Sequence, residues 1–224
     1  MKQLEKIVKS KIVFFYNTKY NCEKVFDSFN QIENDIHGKI SGYVKLKKSI
    51  SPVWYDSTYE LNVLKKLDKC SFVKKIKTQS LSITYNNKSR HPRVYIPDIQ
   101  LLLNDNSIVL IEIKPYIDMI NSRNLKKYKV LRKYSKENGY GFAYLDQDFF
   151  SFEELKLMTI DEKVNNDFLK LIIEKEKVSF KDCNDLKKKY KLNNYHICYL
   201  IWKNRSKLKY QQHVISLKKS FYFK

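Results

Sequence analysis

Glycine and proline are scarce in this sequence, four of each in 224 residues. That excludes collagen-like repeats and chains dominated by flexible linkers. Cysteine is equally sparse. Cys22, Cys70, Cys183 and Cys198 form no CxxC pair, and their spacing fits no zinc template. Reduced, mostly buried thiols are expected, with His196 and Cys198 read as a packing pair rather than a metal pair. Long apolar runs are also missing: residues 12–16 and 197–202 fall far short of the roughly 18 residues of a membrane span. No small-residue cleavage site follows the N-terminal apolar run, so no secretory signal is expected and the chain is expected in the cytoplasm. Acidic residues are in deficit, 24 Asp and Glu against 44 Lys and Arg, which leaves a net charge of +20.

What is present argues for a folded protein with an anionic partner. Hydrophobic residues make up 43% and aromatics 14%, which excludes a disordered basic tail. The length corresponds to about 1.5 average domains, hence one large or two small ones. Folding should bury roughly 70% of the unfolded chain's surface. A globular protein of this charge attracts polyanions, and phosphate backbones are the usual target. Lysine far outnumbers arginine, part of which follows an AT-rich codon bias. Lysine supplies point charges and arginine is the better base reader, so the expected contact is with backbone rather than base.

Hydrophobic periodicity gives the organisation. Leu4, Ile7, Val8 and Ile12 form a short amphipathic pattern, and residues 38–48, with Gly38 and Gly42, read as strands or an extended arm. Ser57 and Glu60 have capping-box spacing ahead of Leu61, Leu64 and Leu67, which predicts a helix. Residues 80–85 alternate as a short strand. Residues 122–137 predict a basic helix with Leu125, Tyr128, Leu131 and Tyr134 on one stripe, ended by Gly139. Residues 142–145 form a strand. The order helix, strand, hairpin, helix, strand predicts a mixed α/β core over residues 1–150. Residues 151–224 turn helical, with a helix to Tyr190, a turn at Asn193-Asn194, a helix over 195–203 and a strand-like tail over 214–223. A winged helix and an all-helical packing subdomain both fit this pattern.

The most informative segment is residues 94–115, VYIPDIQLLLNDNSIVLIEIKP. Asn104-Asp105-Asn106 is a turn signal between two β-rich runs. An antiparallel hairpin centred on Asp105 places Asp98 opposite Glu112, with Cβ atoms about 5 Å apart. Alternation sends Ile99, Leu101, Leu103, Val109, Ile111 and Ile113 to one apolar face. The other face carries Leu102, Ile108 and Leu110 near the turn, then Asp98, Gln100, Glu112 and Lys114 at the open end. Two carboxylates directly across a ladder repel, so a cation is required between them. Lys114 is one candidate. A divalent metal is the better one, because Mg²⁺ takes carboxylate oxygens and keeps several waters.

Pro97-Asp98, Glu112 and Lys114 together spell P-D-x₁₃-E-x-K, and Pro97-Asp98 is the one P-D pair in the sequence. In this setting the chain resembles the PD-(D/E)xK nuclease superfamily, and within it the TnsA-type transposon-end endonucleases. The resemblance spans roughly residues 38–150. It rests on Gly38-Lys39, Tyr55-Asp56-Ser57 with Glu60, Leu67-Asp68, Gln79 before a strand, Tyr95 to Asp98, Glu112 to Pro115, Lys127-Tyr128 and Gly139-Tyr140. Ser80 stands where the family often has proline, and the C-terminal third matches loosely.

The resemblance implies a restriction-endonuclease-like sheet core flanked by helices, with a smaller C-terminal domain. It implies Mg²⁺-dependent hydrolysis of double-stranded DNA at transposon ends, with one or two ions and Mn²⁺ as a substitute. A partner transposase and an ATP-dependent regulator would work beside it on the nucleoid. Glu60, Asp98 and Glu112 would be metal ligands, Lys114 would orient the attacking water, and Gln79 would support the site. Its position also makes Glu60 the acceptor of a capping box with Ser57. Arg90 and Arg93 before the catalytic strand, and Lys187 and Lys188 in the basic run, are candidate phosphate contacts. A phage or restriction-type nuclease shares the chemistry, and a non-catalytic DNA-binding module shares the fold. The intact Asp98, Glu112, Lys114 set argues against the latter.

Overall fold

The computed structural model describes residues 2–15, 23–30, 32, 40–86, 91–211 and 213–218. In chain order the elements are α1 (Lys2–Lys11), α2 (Glu23–Asp27), β1 (Gly42–Val44), β2 (Val53–Tyr55), α3 (Thr58–Leu67), β3 (Val73–Thr78), β4 (Ile83–Tyr85), β5 (Arg93–Tyr95), β6 (Ile99–Leu103), β7 (Ile108–Ile113), α4 (Tyr116–Met119), α5 (Ser122–Asn138) and β8 (Gly141–Leu145). There follow α6 (Phe152–Leu157), α7 (Glu162–Lys175), β9 (Lys177–Val178), α8 (Asn184–Tyr190), α9 (Asn194–Lys203), β10 (Leu208–Gln211) and β11 (Val214–Leu217). Two compact units form: residues 1–115 with 126–151, and residues 116–125 with 152–224. No helix among the described residues is long and apolar enough to cross a membrane.

The first unit is a mixed α/β core. Its main sheet runs β3-β6-β7-β8. β3, β6 and β7 are antiparallel neighbours, and β8 joins β7 in parallel. The β6–β7 register pairs Ile99 with Ile111 and Leu101 with Val109, the register that brings Asp98 opposite Glu112. The turn closes through Asn106 in the left-handed region (φ 63°), a conformation asparagine tolerates well. Ile99, Leu101, Leu103, Val109, Ile111 and Ile113 all enter one hydrophobic cluster with Val63, Leu64 and Leu67 of α3. Leu61 is half-buried, and Val63 takes the inward position instead. The opposite sheet face is covered as well: Gln100, Leu102, Leu110 and Glu112 are fully buried. Tyr128 of α5 packs edge-on against Phe142 and Tyr144 of β8 on that side. Gly139 ends α5 at φ 69°, where a Cβ would be strained.

The second unit orders α7-β9-α8-α9-β10-β11, with the small antiparallel sheet β10-β11-β9. That is the winged-helix order rather than an all-helical packing subdomain. Its third helix, α9, has an unusual burial for this arrangement. Residues 197–201 are all buried and no residue from 194 to 203 is exposed. α4 and α6 pack against it, and Tyr116 meets Tyr195 ring to ring at 5.0 Å. The helix that enters the major groove in helix-turn-helix proteins is therefore covered here. His196 serves as a cap: its Nδ1 accepts from the Asn193 N–H at 3.1 Å. Cys70, Cys183 and Cys198 are free and buried, and Cys22 lies outside the described residues, as do Gly38 and Lys39.

Candidate active site

The site is built where β6 begins and β7 ends. Asp98 sits one residue before β6, held by backbone contacts on both sides. Its Oδ2 accepts from the Ile113 N–H at 2.7 Å, and its carbonyl accepts from the Gln79 N–H at 3.2 Å. Gln100, fully buried two residues on, donates to the Pro97 carbonyl at 2.8 Å and accepts from the Ser80 N–H and hydroxyl. A buried amide that leaves its partners unsatisfied costs about 1–3 kcal/mol, so this network fixes the Pro97-Asp98 corner. Gln79 has φ 46°, which is uncommon for a non-glycine residue. Its side chain donates to Asp56 Oδ2 at 2.6 Å, which ties the β3 end to the start of α3.

Glu112 is fully buried, and a phenol and two ammonium groups face its carboxylate beside Asp98. Tyr95 donates its hydroxyl to Oε2 at 2.8 Å. Oε1 faces the Lys114 ammonium at 2.9 Å and that of Lys127 at 3.8 Å, yet it receives no well-aligned hydrogen bond. Lys114 also reaches Asp98 Oδ2 at 3.4 Å and donates to the Ile113 carbonyl at 2.8 Å. One ammonium thus lies between two carboxylates, in the place where the hairpin register requires a cation.

The electrostatics follow from that crowding. Burial, then the neighbouring Glu112, push Asp98 well above the usual carboxylate range. Burial, then Glu112, also push the Tyr95 phenol upward, so it stays a donor. Burial disfavours the charged form of Lys114, but Asp98 and Glu112 outweigh it and hold the ammonium protonated. Burial raises Glu60, against the pull of the Asp56 N–H and Lys114.

Glu60 borders the pair: its charge helps to raise Asp98, and Lys114 pulls on it in turn. It closes the capping box of α3: Ser57 donates to Oε1 at 3.0 Å, and the Asp56 N–H donates to Oε2 at 2.9 Å. Its own N–H returns to Ser57 Oγ at 3.2 Å. Asp98 and Glu112 are brought together, and Glu60 lies near enough to act on Asp98 while its oxygens serve the cap. Among the described residues no three His, Cys, Asp or Glu side chains are arranged to hold a metal ion. The pair itself nevertheless suits a divalent cation. It offers hard carboxylate oxygens, and one of them, Glu112 Oε1, is buried without a well-formed hydrogen bond.

The candidate phosphate contacts are scattered. Arg90 lies outside the described residues, and Arg93 is exposed on β5. Lys187 of α8 donates to Asn194 Oδ1 at 3.0 Å, while Lys188 is exposed. Sequence reasoning gave no role to Tyr95, Gln100, Asp56 or Lys127. Gln100 alternates with Asp98 and Glu112 and was readable as their neighbour. Tyr95 and Lys127 stood only among the residues that carry the resemblance; packing of β5 and α5 is what brings them to Glu112.

Mixed sheet, hairpin and acid pair together have the form of a PD-(D/E)xK nuclease core. Residues 70–147 match the family model described as TnsA-like endonuclease N terminal. The matched segment runs from just before β3 to just beyond β8 and holds Gln79, Asp98, Glu112, Lys114 and Lys127, with Glu60 outside it. The match covers 78 of the 224 residues and likens this segment to a transposition-related endonuclease domain. No curated protein matches the chain.

Proposed function

We propose that the chain is a Mg²⁺-dependent DNA endonuclease that hydrolyses phosphodiester bonds at transposon ends beside a transposase. The observation that carries this reading is the shared Lys114 ammonium, 2.9 Å from Glu112 and 3.4 Å from Asp98. Asp98 and Glu112 would hold the cation. When bound, such an ion supplies an activated water and charge stabilisation on the phosphate. Glu60 joins as a ligand by giving up its bonds to Ser57 and to the Asp56 N–H. Lys114 stays anchored on the Ile113 carbonyl and turns a donor to the attacking water, while Tyr95 keeps Glu112 aimed. Gln79 and Gln100 hold the Asp98 corner. The first unit is the nuclease domain in this reading, and the winged-helix unit is a separate binding domain. The partners are a transposase and an ATP-dependent regulator, and the work is done on DNA in the cytoplasm.

The test is strand cleavage of an end-labelled duplex carrying a transposon end, with the transposase present. Cleavage in Mg²⁺ and none in EDTA is expected. Equal cleavage in both, or none in either, contradicts the reading.

A second expectation concerns affinity. With a net charge of +20 dominated by lysine, binding of the chain alone to duplex DNA should be nearly independent of sequence. It should fall about 10³-fold between 50 and 200 mM salt if about six phosphates are contacted. Fluorescence anisotropy against salt measures this. A flat dependence of log affinity on log salt contradicts it.

A further inference from the structure

Lys114 has three N–H donors and is engaged on three sides: two donate, and Glu112 Oε1 is held as an ion pair without an aligned hydrogen bond. The ammonium faces the Ile113 carbonyl at 2.8 Å, Glu112 Oε1 at 2.9 Å and Asp98 Oδ2 at 3.4 Å. Turning a donor to an attacking water leaves none of these sides free for the phosphate itself. Phosphodiester hydrolysis nevertheless builds charge on the non-bridging oxygens, and a fixed cation there is worth a large part of the rate.

Lys127 is placed for that task. It lies on α5, in the part of that helix that belongs to the first unit. Its Nζ is 3.8 Å from Glu112 Oε1, beyond hydrogen-bond distance, and 5.5 Å from the centre of the Tyr95 ring. Its side chain is 31% exposed, whereas Glu112 is fully buried, so Lys127 links the buried acid to a solvent-accessible side chain. The ring and the carboxylate hold the stem in one direction and leave the donors unspent.

We infer that Lys127 is a catalytic residue of the proposed nuclease site and grips a non-bridging oxygen of the scissile phosphate. Lys114 then serves the acids and the water, and Lys127 serves the substrate. This division of labour rests on the nuclease reading, and it makes Lys127 different in kind from the lysines scattered over the surface.

The experiment compares wild type, Lys127→Met and Lys127→Arg. Methionine keeps the apolar stem against Tyr95 and removes the charge; arginine keeps the charge. Two quantities are measured: cleavage of the labelled transposon-end duplex with transposase and Mg²⁺, and metal-free affinity of the chain alone for a 30-bp duplex against salt. Lys127→Met should cut at least about 10²-fold more slowly. Its log affinity against log salt should flatten by about one unit of slope, the loss of one phosphate contact. Lys127→Arg should recover most of both. Unchanged cleavage by Lys127→Met overturns the inference while the nuclease reading stands. Slower cleavage with an unchanged salt slope also overturns it, because Lys127 then acts on Glu112 alone. A wild type that cuts no DNA fails the nuclease reading itself and the inference with it.

Discussion

Alanine in place of Asp98 is expected to abolish Mg²⁺-dependent strand cleavage while leaving DNA affinity nearly unchanged. The carboxylate faces Lys114 and the Ile113 N–H at the open end of the hairpin. Affinity comes from many lysines, so losing one acid should leave it intact or slightly improved. The loss in rate should be about 10³-fold or more, at least the scale of removing one preorganised charge contact from a reacting centre. Gel analysis of labelled duplex with the transposase present measures the rate, and anisotropy measures binding. Equal cleavage by variant and wild type removes Asp98 from the chemistry.

Lys114→Met should show the second large effect, and it should appear in stability as well as in rate. Glu112 has no exposed surface, and its nearest cation is Lys114 at 2.9 Å. Removing one partner of a buried ion pair strands the other charge and costs about 3–5 kcal/mol. Lys127, at 3.8 Å and partly exposed, compensates only weakly. Urea unfolding in EDTA at neutral pH should show the midpoint falling by the corresponding amount, and added Mg²⁺ should recover part of it. An unchanged midpoint would show that Glu112 is not held as a buried carboxylate by this lysine.

Much of the hairpin was legible because two β-rich runs flank a strong turn. Asn104-Asp105-Asn106 set the register, and Ile99 does pair with Ile111. The odd-numbered residues went to the core as their alternation required. The even face was harder. Leu102, Ile108 and Leu110 beside Gln100 and Glu112 gave no sign of what covers them, since β4–β5 and α5 arrive only through tertiary packing. Glu60 shows a different limit. Spacing from Ser57 makes it a cap acceptor, the resemblance implies a metal ligand, and sequence alone leaves both roles open. The folded geometry satisfies the cap.

In the second unit, β9 has only two residues, too few to show a period. The β10–β11 hairpin turns through His213 at φ 62°, with no glycine to announce it. The winged-helix order therefore emerges only once those strands pair. The burial of α9 was equally hidden, because its cover comes from residues 116–125, far away in sequence.

The most direct measurement is melting temperature against Mg²⁺ for wild type and Asp98→Asn. Without metal, two carboxylates share one buried ammonium, and the folded-state pKa of Asp98 lies well above its unfolded value. Its contribution therefore favours folding at acid pH and is lost as pH rises through the folded value, which leaves the charged pair destabilising at neutral pH. Asparagine removes one of the two charges, so the variant should melt higher than wild type in EDTA. Mg²⁺ binds the folded site and not the unfolded chain, so it should stabilise wild type by about 2.7 kcal/mol at a hundredfold excess over its dissociation constant. Asp98→Asn should be nearly indifferent to the ion. A wild type that shows no Mg²⁺-dependent shift, together with an Asp98→Asn variant that is simply less stable, would make the pair a structural edge of the sheet and contradict the assignment of a metal-dependent nuclease site.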